Sequence, residues 1–319
     1  MESSRRRTGL VYDENYLEHD TGHGHVERPD RLRSCLQSLK QSDFWNQLHH
    51  IEATPATLDQ LCYVHDRDHI DRVKLYCQRK MPLDYDTPVS KKSFDIALLA
   101  AGGALRAVDR VIAGDVDNAF ALVRPPGHHA TPNRAMGFCL FNNVAIAARY
   151  LQFEHGLNKI AVVDWDVHHG NGTQDIFYAD PSVFFFSIHQ HPLYPGSGLA
   201  NETGLETATG TTLNCPVSSH SDINDYIHIF EERLAPELIE FNPDFMLVSS
   251  GFDAHQLDPL STINVTAEGF GNLTGILLSI ADQVCGGSVV SVLEGGYDLS
   301  GLSESVVAHV KRLINYDIL

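Results

Sequence analysis

Residues 159–172 read "KIAVVDWDVHHGNG". The first half is a short, β-branched apolar run, the pattern of a strand buried on both faces of a parallel sheet. The second half sets Asp164, Asp166 and His168 at alternate positions, with a second histidine and two glycines close behind. In an extended chain, residues two apart point to one face. An unpaired buried charge costs several kcal/mol or more. A single cation drawing these three side chains together would remove that cost.

The same alternation of apolar strand and helix continues on either side. Strands are expected at 118–123, 159–164, 183–189, 244–250 and 288–296, and helices at about 30–40, 94–112, 141–152, 172–178, 223–241 (bent near Pro236), 266–284 and 304–314, the last capped by the serines before it. Leu32, Cys35, Leu36 and Leu39 make the first helix amphipathic, and Gly102-Gly103 predicts close packing of the second. This order predicts an α/β chain, read as one domain over residues 1–319, with a mainly parallel sheet covered by helices on both faces.

In such sheets ligands bind at the carboxyl ends of the strands. The reactive residues fall there. "VRPPGHHA" (123–130), "DWDVHHGNG" (164–172), "SIHQHPLYPG" (187–196), "SSGFDAH" (249–255) and "EGGY" (294–297) each follow one of the five strands. Five such loops define one crevice.

The chain carries 41 acidic and 23 basic residues, a formal net charge of −18. That balance argues against direct nucleic-acid binding and favours cationic partners such as lysine-rich peptides or polyamines, although it also fits plain solubility. Six scattered cysteines with no C-x-x-C pair read as reduced, buried thiols in a cytoplasmic protein. No apolar run is long enough for a membrane span, and "MESSRRRTG" (1–9) has no apolar stretch behind it and does not read as a signal peptide. Self-association as a homo-oligomer stays open.

Within the crevice, Asp166, His168 and Asp253 are the expected metal ligands. Three protein ligands leave coordination positions for water and substrate, as a catalytic zinc requires, and two carboxylates make the ion a weaker Lewis acid that needs help. His128 and His129 are the expected helpers, acting as general base or acid, with Asp164 and Asn171 as the polar partners that fix their rings. Tyr297, after two glycines, is placed to donate to an oxyanion. Gly137 with Phe138, in "MGFCLFNN" (136–143), and Tyr194 are expected to line an apolar slot. His19, His23 and His25 read as polar loop residues rather than a second metal site.

Together "HVERPDR" (25–31), "RPPGHHA" (124–130), "MGFCLFNN", "DWDVHHGNGTQ" (164–174), "SIHQHP" (187–192), "GFDAH" (251–255) and "EGGY" resemble the histone deacetylase family, on the class II side that includes bacterial deacetylase-like amidohydrolases. Asn171 stands where class I members usually have Asp, and Val26 where many members have Pro. The resemblance implies the three-layer arginase–deacetylase fold with about eight strands and hydrolysis of an acyl-amide. It implies a catalytic zinc, or ferrous iron in vivo, on Asp166, His168 and Asp253. It pairs His129 with Asn171 as the main base and acid, and His128 with Asp164 as electrostatic partner. It adds a structural potassium ion near Asp164, Asp166, His168, Ser187 and Ile188, and a gatekeeper position at Leu260. The expected substrate is an N-ε-acyl-lysine peptide or protein. The alternatives are an acetylpolyamine, or mere binding of acyl-lysine by a decayed enzyme, which the presence of Tyr297 opposes.

Overall fold

The computed structural model describes residues 5–315, so part of the charged leader read above (residues 1–4) lies outside the described residues. The strands are β1 (Thr8–Val11), β2 (His49–Ile51), β3 (Asn118–Ala121), β4 (Ile160–Asp164), β5 (Val183–Gln190), β6 (Thr212–Val217), β7 (Phe245–Ser250) and β8 (Val289–Leu293). They form one eight-stranded sheet in the order β2-β1-β3-β8-β7-β4-β5-β6. Every pair is parallel, where a mainly parallel sheet was expected.

The helices are α1 (Asp30–Gln41), α2 (Leu58–Leu61), α3 (Arg67–Arg79), α4 (Ser93–Ile112), α5 (Asn143–Phe153), α6 (Asn171–Phe177), α7 (Ile223–Ile229), α8 (Ala235–Phe241), α9 (Ala267–Cys285) and α10 (Leu299–Ile314). One layer is built from α3, α4, α5 and α6, and the other from α1, α10, α9, α8 and α7, with the sheet between them. Both faces of the central strands are therefore buried. Every residue of β3, β4, β5, β7 and β8 is buried, which is why these strands read as continuous apolar runs.

The structure adds α2 and α3, which the sequence reading left unassigned, and differs from it elsewhere. β1, β2 and β6 lie at or towards the sheet edges, too short or too polar to stand out, and β6 carries Pro216, which an edge strand tolerates. The last helix starts at Leu299 rather than 304, because Asp298 caps it by accepting from the Gly301 N–H at 2.7 Å, not a serine. The expected bend near Pro236 is a π-helical turn, Phe230–Leu234, between α7 and α8.

Gly102 packs as expected. A Cβ there would run into the backbone of Thr54 and Ala56, so α4 lies directly against the segment after β2. All six cysteines are free thiols, four of them buried, but Cys62 is exposed against expectation. Among the described residues, no helix is long and apolar enough to cross a membrane.

Candidate active site

The five loop-bearing strands are contiguous in the sheet, β3-β8-β7-β4-β5, so their carboxyl ends open into one crevice. Asp164 ends β4 and is flanked in register by Ser187 of β5 and Ser249 of β7. Beyond it, Asp166 and His168 meet Asp253 from the loop after β7. His168 Nδ1 lies 3.1 Å from Asp166 Oδ1 and 3.1 Å from Asp253 Oδ2. One donor atom from each of the three falls within 4.8 Å of the others.

Backbone amides aim the carboxylates. Gly295 N–H donates to Asp166 Oδ2 at 2.8 Å, and Val167 N–H to Asp253 Oδ1 at 2.8 Å. Gly295 must be glycine, because a Cβ there would overlap both carboxylates. Asp166 and Asp253 are buried, and among the described residues only imidazoles pair with them, no lysine or arginine. Two buried carboxylates and an imidazole with converging donor atoms suit a divalent cation such as zinc.

The two adjacent histidines take different partners. His128 Nδ1–H donates to Asp164 Oδ2 at 3.0 Å, and His129 Nδ1–H to Asn171 Oδ1 at 2.8 Å. Their rings are 4.0 Å apart. Burial lowers the His128 pKa, but the charges of Asp166 and Asp164 and the Asp164 hydrogen bond outweigh it and hold it well above 6.5. His129 sits well below 6.5, through burial and the positive charges of His128 and His168. The pair is thus one charged and one neutral imidazole. A second carboxyl supports it from below: Glu294 Oε2 accepts from Gly127 N–H at 2.6 Å and His128 N–H at 3.1 Å, and burial pushes its pKa up to about 7.

Tyr297 faces the same cavity. Gly296 takes a left-handed φ of +118°, which turns the chain before it. Burial raises the phenol pKa well above 10, so the hydroxyl is a donor at neutral pH. Its backbone is held twice. Asp258 Oδ2 accepts the Tyr297 N–H at 2.7 Å while Oδ1 accepts that of Leu260 at 2.9 Å. Arg31 donates to the carbonyls of Gly296 (2.6 Å) and Glu294 (2.5 Å), and its guanidinium lies 5.0 Å from the Tyr297 ring centre.

Arg31 is itself balanced by buried Glu27, which also pairs with buried Arg124 through contacts of 2.6 and 2.9 Å. His19, read as a polar loop residue, is buried beside this network and shares a 2.7 Å hydrogen bond with Ser93 Oγ. His23 is exposed, while His25 is half-buried against Phe138.

The cavity has a volume of about 220 Å³. His129, His168 and Tyr297 form its inner end, Gly137, Phe138, Leu193 and Tyr194 its walls, and Tyr85, Asp86 and Leu260 its rim. Tyr194 meets His129 edge-on at 5.2 Å. Phe138 meets Tyr297 edge-on at 5.7 Å. Phe138 holds a left-handed φ of +69°, a strain of roughly 1–3 kcal/mol for a side chain of this kind. Of the residues named from the sequence, His129, Gly137, Phe138, His168, Tyr194, Leu260 and Tyr297 line this cavity; His128, Asp164, Asn171, Asp166 and Asp253 join them through the contacts given above, and Ser187 and Ile188 lie on β5, where Ser187 pairs with Asp164.

The sequence reading missed Tyr85 and Asp86, which sit in a stretch that reads only as polar and Pro-containing, and it missed the supports Glu27, Arg31, Arg124, Asp258 and Glu294. Arg31 leaves one trace: it lies four residues before Cys35, on the apolar face of α1, where an unpaired arginine would be out of place.

Residues 25–313 match the histone deacetylase domain. A probable deacetylase of Archaeoglobus fulgidus is 38% identical over 296 residues, covering 92% of this chain and 82% of its own. A histone deacetylase-like amidohydrolase of Pseudomonas aeruginosa is 36% identical over 311 residues, covering 92% and 82%. The crystal structure of the HDA15 HD domain superposes with a TM-score of 0.92 at 40% identity, covering 97% of this chain and 89% of that one.

Proposed function

The chain belongs to the histone deacetylase family of hydrolases, and we propose that it is a metal-dependent amidohydrolase that removes an acetyl or related acyl group from the ε-amine of lysine. The observation that carries this reading is the convergence of the Asp166–His168–Asp253 cluster, the His129–Asn171 pair and Tyr297 at the inner end of one narrow cavity.

Asp166, His168 and Asp253 would hold zinc or ferrous iron. The ion, when bound, supplies Lewis acidity to the acyl oxygen and to water. The neutral imidazole of His129, oriented by Asn171, takes a proton from the attacking water as its oxygen bonds to the acyl carbon. Tyr297 donates its phenolic hydrogen to the carbonyl oxygen as negative charge develops there. His128, held by Asp164, keeps a positive charge beside the reacting centre. His129 then gives its proton to the nitrogen as the C–N bond breaks, and the proton left on the new carboxyl passes to the amine, so the products leave as carboxylate and ammonium.

Gly137, Phe138 and Tyr194 enclose the uncharged stem, with Leu260 at the rim. An apolar rim residue suits a neutral lysine stem better than the ammonium of a polyamine. A potassium ion on Asp164, Asp166, His168, Ser187 and Ile188 belongs to the same proposal, supported by the register of Asp164 against Ser187. The whole chain acts as one catalytic domain.

The test is turnover of an acetyl-lysine peptide and of acetylspermidine, with zinc and with a chelator. Zinc-dependent, chelator-sensitive cleavage of the peptide supports the reading. Preference for acetylspermidine assigns the polyamine substrate instead, as the net charge of −18 would favour by attraction. Peptide binding without turnover makes the chain an acyl-lysine binder.

A further inference from the structure

Thr87 belongs to none of the motifs that build the site, yet its hydroxyl lies behind the channel wall. Its side chain is buried, with 1% of the residue exposed. Oγ1 accepts the Phe138 N–H at 3.1 Å and donates to Asp86 Oδ1 at 2.8 Å. The backbone around it is closed on itself, with Thr87 N–H donating to Asp84 O at 3.2 Å and Leu83 N–H to Thr87 O at 2.9 Å. Arg134 ties this loop to the segment before the wall through Asp84, at 2.7 Å.

The wall needs such a support. Gly137 and Phe138 are consecutive residues with left-handed φ, +55° and +69°. Met136 and Cys139 satisfy one another across that turn, N–H to O at 3.2 and 3.0 Å, which leaves the Phe138 amide to Thr87. On its other side the Phe138 ring packs edge-on to His25 at 4.9 Å, and His25 Nε2–H reaches the Asp86 carbonyl at 3.3 Å. Rim and wall are thus one hydrogen-bonded unit with Thr87 at its centre.

We infer that Thr87 is the positioning residue that sets the width of the substrate channel, by holding the left-handed Phe138 wall and the rim carboxylate of Asp86 in fixed register around the stem of the substrate. The inference rests on the acyl-lysine reading of the cavity. Thr87→Val removes both hydrogen bonds at nearly constant volume and leaves the half-buried Phe138 N–H unpaired, whereas Thr87→Ser keeps both.

The experiment compares zinc-loaded wild type, Thr87→Val and Thr87→Ser for kcat and KM on an acetyl-lysine peptide, for metal content, and for amide hydrogen exchange over residues 136–139. For Thr87→Val the expected result is a KM raised about tenfold, the order expected for loss of one hydrogen bond from a half-buried donor, with kcat within threefold, metal content unchanged and faster exchange at Phe138. Thr87→Ser returns all of these to near wild type. If the valine variant is too unstable to purify, Thr87→Ala gives the same readings.

Three outcomes would overturn the inference: wild-type KM and exchange in Thr87→Val, equal impairment in Thr87→Ser, or a fall in kcat with KM unchanged. Absence of turnover in the wild type itself would instead remove the acyl-lysine reading. Protection of the Phe138 amide from exchange, lost with valine and kept with serine, would still decide whether Thr87 holds the wall.

Discussion

Glu27→Gln takes one charge out of a buried network while keeping its shape. Glu27 is fully buried and faces Arg124 at 2.6 Å and 2.9 Å, Arg31 at 3.2 Å and His19 at 3.7 Å. A glutamine can accept at one position but turns an NH2 towards a guanidinium at the other, so two buried arginines lose their counter-charge. Removing one partner of a buried ion pair costs about 3–5 kcal/mol. The carboxyl's own pKa gives a second measure. Burial alone would raise it, but the charges of Arg124 and Arg31, joined by His19 once that ring is protonated in acid, hold it at about 2 against an ordinary 4.5. At roughly 1.4 kcal/mol per pK unit, that difference is worth about 3 kcal/mol. For a chain of 319 residues, with an unfolding entropy of about 2 cal/mol/K per residue, such a loss lowers Tm by about 5–8 °C. The pH dependence follows from the sign of the shift. The folded pKa lies below the unfolded one, so the contribution is complete above about 4.5 and is lost as pH falls towards 2. Thermal unfolding of both proteins at pH 7 and pH 4 is the assay, with the gap expected to narrow in acid. A Tm within 1 °C of wild type at pH 7, or a gap that widens in acid, refutes the reasoning.

Tyr297→Phe removes the phenolic donor and keeps the ring. Its kcat is expected to fall by about 10²–10³ with metal content unchanged, and activity within a few-fold of wild type would make Tyr297 purely structural. Leu260→Glu puts a carboxylate at the rim. It should raise kcat/KM for acetylspermidine and lower it for an acetyl-lysine peptide, and a wild type that already prefers acetylspermidine at physiological salt contradicts the rim argument. His19, His65 and His309, far from the metal ligands in sequence, are buried and held down to about 3 from 6.5. Each takes up a proton on unfolding between those values, so stability should fall as pH drops below about 6.5, by several kcal/mol by pH 5; denaturant unfolding that is flat over this range contradicts it.

The central strands and the chemistry at their ends were legible because both follow short-range rules. Burial on two faces makes β4 and β7 apolar up to their polar carboxyl ends, and the alternation of Asp164, Asp166 and His168 is a local signal. The edge strands were not, because β1 and β2 are only four and three residues long and owe their pairing to neighbours distant in sequence. The supports of the site were hidden for the same reason. Glu27 meets Arg124 across 97 residues, and Arg31 meets the Gly296 carbonyl across 265. Asp258 resembles any loop aspartate until the fold brings Tyr297 to it. Thr87 and Asp86 lie in a polar stretch with no periodicity, and only the closed turn at 83–87 carries them to the channel.

Zinc titration of the chelator-stripped protein, with turnover of an acetyl-lysine peptide read at each addition, probes the Asp166–His168–Asp253 cluster itself. Activity is expected to be absent without metal and to rise to a plateau at one equivalent, while Asp253→Ala gains neither bound zinc nor activity. Full turnover by the stripped protein, or one full equivalent of zinc retained by Asp253→Ala, would contradict the assignment of the site.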